Sequence, residues 1–150
     1  MRYLCIDLGD KRTGLALGDN ITGLVSPLET LEVPRSHAAG STLLNALARA
    51  VDAHLAPQEC VVLGLPLNMD GTEGPRAALV RALGDSLADL TRRPVLYHDE
   101  RLSTAAADWR MARTGLTRRE KKERRDALAA AEILNDFLAS RQKRPPEAQE

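Results

Sequence analysis

The sequence is poor in several residue types, and each scarcity argues against a class of protein. Its two cysteines, Cys5 and Cys60, lie in separate apolar runs, which is typical of free, buried thiols rather than of a disulfide scaffold or a zinc finger. No apolar run approaches the roughly 20 residues of a membrane-spanning helix, and the first residues, MRYLCIDLG, have no signal-peptide anatomy. We therefore expect a cytoplasmic protein without a membrane partner, with a single domain at 1–140 and a flexible polar tail at 141–150.

Net charge is absent too, because 21 basic residues balance 21 acidic ones. This balance argues against binding of nucleic acid through overall charge, yet it hides a local asymmetry. Residues 110–125 hold eight basic residues against Glu120 and Glu123, so the segment carries +6. Such a segment is typical of a polyanion-binding edge or, equally, of a solvated loop. Aromatic residues make up only 3%, which leaves few platforms for stacking single-stranded bases and favours recognition of shape and phosphate.

The pattern of apolar runs predicts an α/β fold. Strands at 3–8, 13–18 and 23–33 are joined too closely for crossover helices, so we expect an antiparallel meander with a break or bulge at Pro27. Helical and strand patterns then alternate, which implies a mixed sheet with helices on both faces and leaves the strand order open. The later elements are a helix at 41–55, a strand at 60–65, a helix from residue 75, a strand at 94–98 and helices at 103–115 and 126–140. The apolar helix faces are expected to carry Leu44, Leu47, Val51 and Leu55, and then Leu79, Leu83, Leu87 and Leu90.

Three acidic positions are unusual for their surroundings. Asp7 interrupts an apolar strand at its carboxyl end, where a charge is costly unless it is paired, protonated or metal-bound. Asp99 and Glu100 follow another strand, and since adjacent strand residues point to opposite faces, we expect only one of them to meet Asp7. Asp126 lies in the apolar arc of the last helix, near Ile133, and this arc aims it at the sheet.

These carboxylates have two interpretations. In the structural one, Asp7 caps the following turn, Asp126 caps its helix, and Arg101 neutralises one member of the acidic pair. In the functional one, the carboxylates converge on one edge and form an oxygen-only cluster that suits Mg²⁺ or Mn²⁺. Such a cluster beside basic residues is typical of metal-assisted phosphodiester hydrolysis, in which the metal activates water and stabilises the leaving oxygen.

Four segments of the chain resemble one family. The residues D-L-G-D-K-R-T-G at 7–14 are similar to its opening D-x-G-x-K-R-x-G, and G-L-P-L-N-M-D-G-T at 64–72 to its G-L-P-x-x-x-x-G loop. The residues D-E-R-L-S-T at 99–104 are similar to its D-E-R-x-[ST]-T element, and D-A-L-A-A-A-E-I-L at 126–134 to its final helix. With all four in order, the chain resembles the YqgF (RuvX) family of pre-16S rRNA nucleases and Holliday-junction-resolvase-like proteins of bacteria.

The resemblance implies an RNase H-like fold and a metal-dependent RNA nuclease that matures the 5′ end of 16S rRNA on ribosomal precursor particles in the bacterial cytoplasm. By position it implies Asp7, Glu100 and Asp126 as catalytic residues and ligands of Mg²⁺ or Mn²⁺, and it favours Glu100 over Asp99. Basic residues near these positions are expected to bind substrate phosphates, although each also suits an ordinary solvated surface. They are Lys11, Arg12, Arg101, Arg118, Arg119, Lys121, Lys122, Arg124 and Arg125.

Two further residues near the expected site have both a functional and a structural interpretation. Gly64 is expected to let the backbone approach a ligand closely, although glycines also serve ordinary loops. His98 is expected to be packed or to support the cluster rather than to act as a base.

Other functions share this set of residues. A resolvase of branched DNA uses the same acidic triad and normally acts as a dimer, whereas a non-catalytic nucleic-acid-binding module would use the carboxylates structurally. The sequence leaves open RNA or junction DNA as substrate, Mg²⁺ or Mn²⁺ as metal, and monomer or homodimer as the state of assembly.

Overall fold

One mixed sheet organises the computed structural model, which describes residues 1–101 and 118–142 and, for 118–123, the backbone alone. Its elements are β1 Arg2–Leu8, β2 Thr13–Asp19, β3 Val25–Leu31, a 3₁₀ turn at His37–Gly40, α1 Ser41–His54, β4 Cys60–Leu65, α2 Pro75–Thr91, β5 Val95–Asp99 and α3 Arg118–Gln142. The strand order is β3-β2-β1-β4-β5. β1, β2 and β3 form the predicted antiparallel meander, and β1, β4 and β5 run parallel.

The sheet separates two apolar cores, because successive side chains of a strand point to opposite faces. Leu4 and Ile6 of β1 pack in the core beneath α1 and α2, whereas Tyr3 and Cys5 pack against α3. β4 is buried along its whole length, as expected for a parallel strand covered on both sides. The predicted helices on both faces are therefore confirmed, and so are the two free, buried cysteines.

The predicted irregularity in the third strand is present. The register of β2 with β3 shifts between Leu15 and Ala16, where Ala16 pairs with Pro27. Proline has no N–H to donate to a ladder, so it is tolerated at such a break and on an edge strand.

The predicted helix faces need correction. On α2, Leu79 and Leu90 are 47% and 53% exposed, and smaller residues face the sheet in their place. A methyl group at Gly84 would lie 2.2 Å from the hydroxyl oxygen of Tyr97. The helix therefore lies too close to the sheet for leucine at that position. The buried positions of α2 are Ala77, Val80, Gly84 and Leu87, so Leu87 is confirmed and Leu83 packs half-buried against the core. Of the residues expected on α1, Leu47, Val51 and Leu55 are buried and Leu44 is half-buried against the core, with Leu43 as an additional buried position.

The last helix begins earlier than predicted. α3 starts at Arg118, so the basic residues from 118 to 125 are helical and Asp126 lies inside the helix rather than capping it. No glycine or proline interrupts residues 118–142, and arginine, lysine, glutamate and alanine are good helix formers. The helix predicted at 103–115 lies outside the described residues. Across the part of the chain that is described, no helix is both long and apolar enough to cross a bilayer.

Candidate active site

Three carboxylates come together at the edge where the parallel strands end. Asp7 is the last but one residue of β1, Glu100 directly follows β5, and Asp126 lies in the third turn of α3. Since Tyr3 and Cys5 face α3, the alternation of β1 directs Asp7 to the same face. A side-chain hydrogen bond joins Asp7 to Glu100, and the charge of Asp126 acts on Asp7. The edge outside the carboxyl ends of the strands is also where open α/β sheets bind their ligands.

Gly64 of β4 makes room for Glu100. Ile6 of β1 pairs with Leu63 of β4, so Asp7 and Gly64 each directly follow the last pair of this parallel register. A Cβ atom on Gly64 would lie 2.8 Å from Oε2 of Glu100 and 2.9 Å from Cδ1 of Ile133. The sequence led us to expect a glycine that admits a ligand, whereas the structure shows one that admits the Glu100 side chain.

Gly14 of β2 has a similar effect on Asp126. A Cβ atom on Gly14 would lie 1.9 Å from the backbone carbonyl oxygen of Asp126. The backbones of β2 and α3 are therefore in contact, and only glycine permits this approach. Gly14 is the last residue of the 7–14 motif, which marked it as a residue of interest. Nothing in the sequence showed that α3 lies against it.

The carboxylates have shifted acidities. Burial, the charge and hydrogen bond of Glu100, and the charge of Asp126 together raise the pKa of Asp7 to about 7. Burial also raises the pKa of Glu100, although its hydrogen bond with Asp7 opposes this rise. Both directions fit a neutral Asp7 that donates its proton to the Glu100 carboxylate, so the pair shares one proton.

The chemistry of these donors fits a hard divalent cation. All three groups are carboxylates, which Mg²⁺ and Mn²⁺ prefer, and a cation would offset the repulsion that raises the pKa of Asp7. Among the described residues, no three His, Cys, Asp or Glu side chains stand in ready metal-binding geometry.

Arg76 is a residue of this site that the sequence pattern did not reveal. It is exposed in the first turn of α2, directly after Pro75. Its positive charge lowers the pKa of both Asp7 and Glu100, against the effect of burial. The available signal was a basic residue at the start of a helix that follows the glycine-rich loop, and this start lies at the same edge as the carboxylates.

Arg101 is bound to Asp99 in the structure. Its Nε and Nη2 atoms donate to the Asp99 carboxylate at 2.7–3.0 Å, and Nη1 donates to the carbonyl oxygens of Asn68 and Met69 at 3.1 and 3.2 Å. These hydrogen bonds hold the pKa of Asp99 below its ordinary value, although burial opposes the shift. Glu100 therefore meets Asp7 while Asp99 pairs with Arg101, which is the division that strand alternation predicts.

The other predicted phosphate ligands lie on two elements. Lys11 and Arg12 are exposed in the turn between β1 and β2. Arg124 and Arg125 are exposed on α3, and Arg124 lines a small pocket beside Glu29 of β3. The backbones of Arg118, Arg119, Lys121 and Lys122 form the first turns of α3, and their side chains lie outside the described part of the chain.

His98 is packed against α3. Its Nε2 atom lies 2.6 Å from Oδ2 of Asp136, and its ring meets the ring of Phe137 edge to face with centroids 5.7 Å apart. This is one of the two roles that the sequence left open.

Several known proteins are similar to this chain over most of its length. The sequence model of the family described as "RuvX: Holliday junction resolvase" matches residues 1–140. A protein of Anaeromyxobacter sp. (strain Fw109-5), named "Putative pre-16S rRNA nuclease", is 43% identical over 141 residues, which cover 94% of this chain and 98% of that protein. A protein of Ruegeria pomeroyi with the same name is 40% identical over 133 residues, which cover 89% of this chain and 82% of that protein.

Two solved structures share the fold. A Fowlpox virus resolvase in complex with Holliday junction DNA has a TM-score of 0.62 at 10% identity and covers 95% of this chain and all of that one. The RuvC protein of Thermus thermophilus in complex with a Holliday junction substrate has a TM-score of 0.61 at 16% identity, and the match covers 95% and 96% of the two chains. At such identities the likeness concerns the fold alone, and it confirms the RNase H-like fold that the motifs imply.

Proposed function

This chain belongs to the RuvX family, and from that membership and the carboxylate cluster we propose that it is a divalent-metal-dependent nuclease that hydrolyses phosphodiester bonds of RNA. The observation that carries the proposal is the meeting of Asp7, Glu100 and Asp126 at one edge of the sheet. Because the relatives are named for pre-16S rRNA, the proposed cellular role is maturation of its 5′ end, on ribosomal precursor particles in the cytoplasm. The proposed catalytic unit spans residues 1–140.

The three carboxylates would hold Mg²⁺ or Mn²⁺. When bound, the ion supplies an activated water and neutralises charge on the leaving oxygen of an in-line displacement. Asp7 serves as a ligand in its ionised form, so binding of the cation requires release of the proton that it shares with Glu100. Gly14 and Gly64 keep the carboxylates close, since any side chain at either position would displace Asp126 or Glu100.

Basic residues on three elements that lead to the carboxylates are proposed to bind the RNA backbone. Lys11 and Arg12 lie in the turn after β1, Arg76 lies at the start of α2, and the basic residues of α3 precede Asp126. Their positive charge would offset the repulsion between a negatively charged strand and the carboxylates.

Cleavage assays test the proposal directly. Matched RNA, duplex DNA and four-way DNA junctions are incubated with Mg²⁺, Mn²⁺ or EDTA, with the unaltered protein and with Asp7→Asn, Glu100→Gln and Asp126→Asn. We expect RNA cleavage that requires the metal and is lost in all three variants. Asp136→Asn is the matched control, because Asp136 lies on the exposed side of the same helix and pairs with His98; it should retain activity.

Two results would contradict the proposal. RNA cleavage that persists in EDTA or in all three variants would exclude these carboxylates as metal ligands. A folded protein that binds RNA but cleaves none of the substrates would instead indicate a non-catalytic nucleic-acid-binding module.

A second candidate function is that of a Holliday junction resolvase acting on branched DNA. It is favoured by the description of the matched family and by the two compared proteins, each of which is bound to junction DNA. Symmetric cleavage of a junction needs two active sites, so this function requires a homodimer. Preferential, paired cuts in the four-way junction, together with a dimer in sedimentation analysis, would favour it over RNA cleavage.

A further inference from the structure

We propose that Arg101 is a positioning residue that fastens Glu100 and the loop at 66–74 together, and that it does not bind substrate phosphate. The inference rests on the proposed function, because it concerns how Glu100 is held for metal-dependent cleavage. It assigns to Arg101 a role in the geometry of the site in place of the phosphate contact that the sequence suggested.

The hydrogen bonds of Arg101 leave little capacity for a phosphate. Its Nε and Nη2 atoms donate to both oxygens of Asp99, and Nη1 donates to two carbonyl oxygens, those of Asn68 and Met69. A guanidinium group has five N–H donors, and this arrangement occupies four of them. Binding a phosphate in the usual two-pronged manner would therefore require Arg101 to release Asp99 or the loop.

The same contacts enclose Glu100 on both sides. Asp99 accepts a hydrogen bond from the backbone N–H of Arg101 at 3.0 Å, which closes a turn around Glu100. The backbone N–H of Glu100 donates to the carbonyl of Leu65 at 3.3 Å, and its side chain fits against Gly64. Glu100 therefore depends on its two chain neighbours and on the end of β4 for its position.

The loop that Arg101 grips is itself well ordered by internal bonds. Asn68 and Thr72 are joined both by a backbone hydrogen bond of 2.8 Å and by a side-chain hydrogen bond of 3.0 Å. Asp70 accepts from the backbone and the hydroxyl of Thr72, and Gly71 turns the chain with a φ of +86°. Arg101 thus links one preformed unit, the loop, to another, the Asp99–Arg101 turn.

Global stability does not explain this arrangement. The side chains of Arg101 and Asp99 are 36% and 35% exposed, and ion pairs with such exposure add little to the free energy of folding. The forked geometry instead specifies orientation, which lysine cannot reproduce because its ammonium group has no fork. We call the contacts of Arg101 with Asp99, Asn68 and Met69 the clamp. Lysine at position 101 keeps the positive charge but cannot form the clamp, so Arg101→Lys separates a positioning role from a phosphate-binding role.

The test compares Arg101→Lys, Arg101→Ala, Asp99→Ala and the double variant Asp99→Ala/Arg101→Ala. We expect each to lower kcat for RNA by about 10²-fold with KM within about twofold of the unaltered protein, since misplacement of a catalytic group acts on turnover. The double variant should lose no more than either single variant, because both break one clamp. Hydrogen exchange at the amides of Asn68, Gly71 and Thr72 should accelerate about tenfold, because the loop opens more readily.

Arg49→Ala is the control for loss of one positive charge, because Arg49 is exposed on α1, on the opposite face of the sheet from the carboxylates. If Arg101→Lys or Asp99→Ala keeps full activity, the contact between Arg101 and Asp99 does not position Glu100 and the proposal is wrong. If Arg101→Ala raises KM and lowers the salt dependence of RNA binding by about one ion, Arg101 is a phosphate ligand and the proposal is likewise wrong. If the unaltered protein cleaves nothing, the proposed function fails, and unchanged loop exchange in Arg101→Lys would still overturn the clamp.

Discussion

The two ends of the sheet handle charge in opposite ways. Where β4 and β5 begin, Glu59 and Arg93 are buried and each is bonded to several partners. Where the parallel strands β1, β4 and β5 end, Asp7 and Glu100 lie together with a third carboxylate near by, and the pKa values of Asp7 and Glu100 are raised. The end with Glu59 and Arg93 therefore stabilises the fold, whereas the end with the three carboxylates keeps acidic groups close together at a cost to the free energy of folding.

At the end of the sheet where β4 and β5 begin, hydrogen bonds satisfy both buried charged residues. Glu59 accepts hydrogen bonds from the backbone N–H of Arg2 and of Ala56, and from the Arg2 side chain. Burial alone would raise its pKa, yet these bonds hold the pKa below the ordinary value. Arg93 donates to Asp52 and to the carbonyl oxygens of Leu55 and Ala56, beyond the end of α1.

The way a buried or half-buried acid is paired distinguishes a residue that supports the fold from one that serves a function. A buried acid that only had to support the fold would be paired like Glu59. Asp7 is half-buried, but the charges that act on it most strongly are those of other acids, and the positive charge of Arg76 only partly offsets them. Clusters of this kind are typical of functional sites, where a bound ligand supplies the missing charge.

Asp7→Asn should produce the largest effect, and it should separate activity from stability. We expect RNA cleavage to fall by roughly 10³-fold or more, because a metal ligand is lost. In the absence of metal the same variant should be more stable than the unaltered protein at neutral pH, since it removes one of the repelling charges. Cleavage rates and urea unfolding in EDTA measure the two effects. A variant that loses both activity and stability would indicate that Asp7 is a structural residue.

The pH dependence of stability should differ between the ends. In EDTA, the folded protein keeps a proton on Asp7 up to about pH 7, whereas the unfolded chain releases it near 3.8. The Asp7 contribution to stability is therefore present at low pH and falls as the pH rises towards 7, by about 4 kcal/mol at most. Urea unfolding between about pH 5 and pH 7.5 should show the decline. The decline should be weaker in Asp7→Asn and with saturating Mg²⁺, and equal slopes in all samples would contradict it.

Arg93→Met should destabilise the protein without changing the chemistry. The carbonyl oxygens of Leu55 and Ala56 would lose a charged donor inside the protein, and we expect a loss of about 2 kcal/mol in the free energy of unfolding. Cleavage per folded molecule should be unchanged, because Arg93 lies at the end of the sheet remote from Asp7. Chemical denaturation with a parallel activity assay measures both, and reduced turnover in the folded variant would show that the two ends are coupled.

Glu59→Gln should have the smallest effect, about 1 kcal/mol, because glutamine keeps an acceptor oxygen for one backbone N–H and loses the acceptor of the other. Its pH signature should be opposite to that of Asp7. The lowered pKa of Glu59 gives stability that is present above about pH 4.5 and is lost as the pH falls. Unfolding midpoints between about pH 3 and pH 6 should therefore fall less steeply in the variant.

Much of the fold followed from the sequence because it depends on local spacing. The short connections of the first three strands predicted the meander, and the continuous apolar run at 60–65 predicted a strand buried on both faces. The leucine spacing of α2 was misleading because the packing distance of a helix depends on its partner. α2 turns Ala77, Val80, Gly84 and Leu87 towards the sheet, so Leu79 and Leu90 lie on the side that faces solvent.

The site was predictable only in part. Strand ends and an apolar helix arc were enough to suggest that Asp7, Asp126 and one of two adjacent acids converge. Arg76 and Gly14 could not be placed, because their roles depend on which elements meet at the edge of the sheet. The start of α3 was missed for a related reason, since an aspartate that faces the core was taken for a helix cap.

Because α3 is one unbroken helix, it fixes the distance between its first turn and Asp126. Asp126 follows Arg118 by eight residues in one continuous helix, a separation of about 12 Å along its axis. Because a helix does not stretch, the backbone of its first turn stays at this distance from Asp126. α3 would therefore set a fixed spacing between whatever binds at its start and the carboxylates at the edge of the sheet.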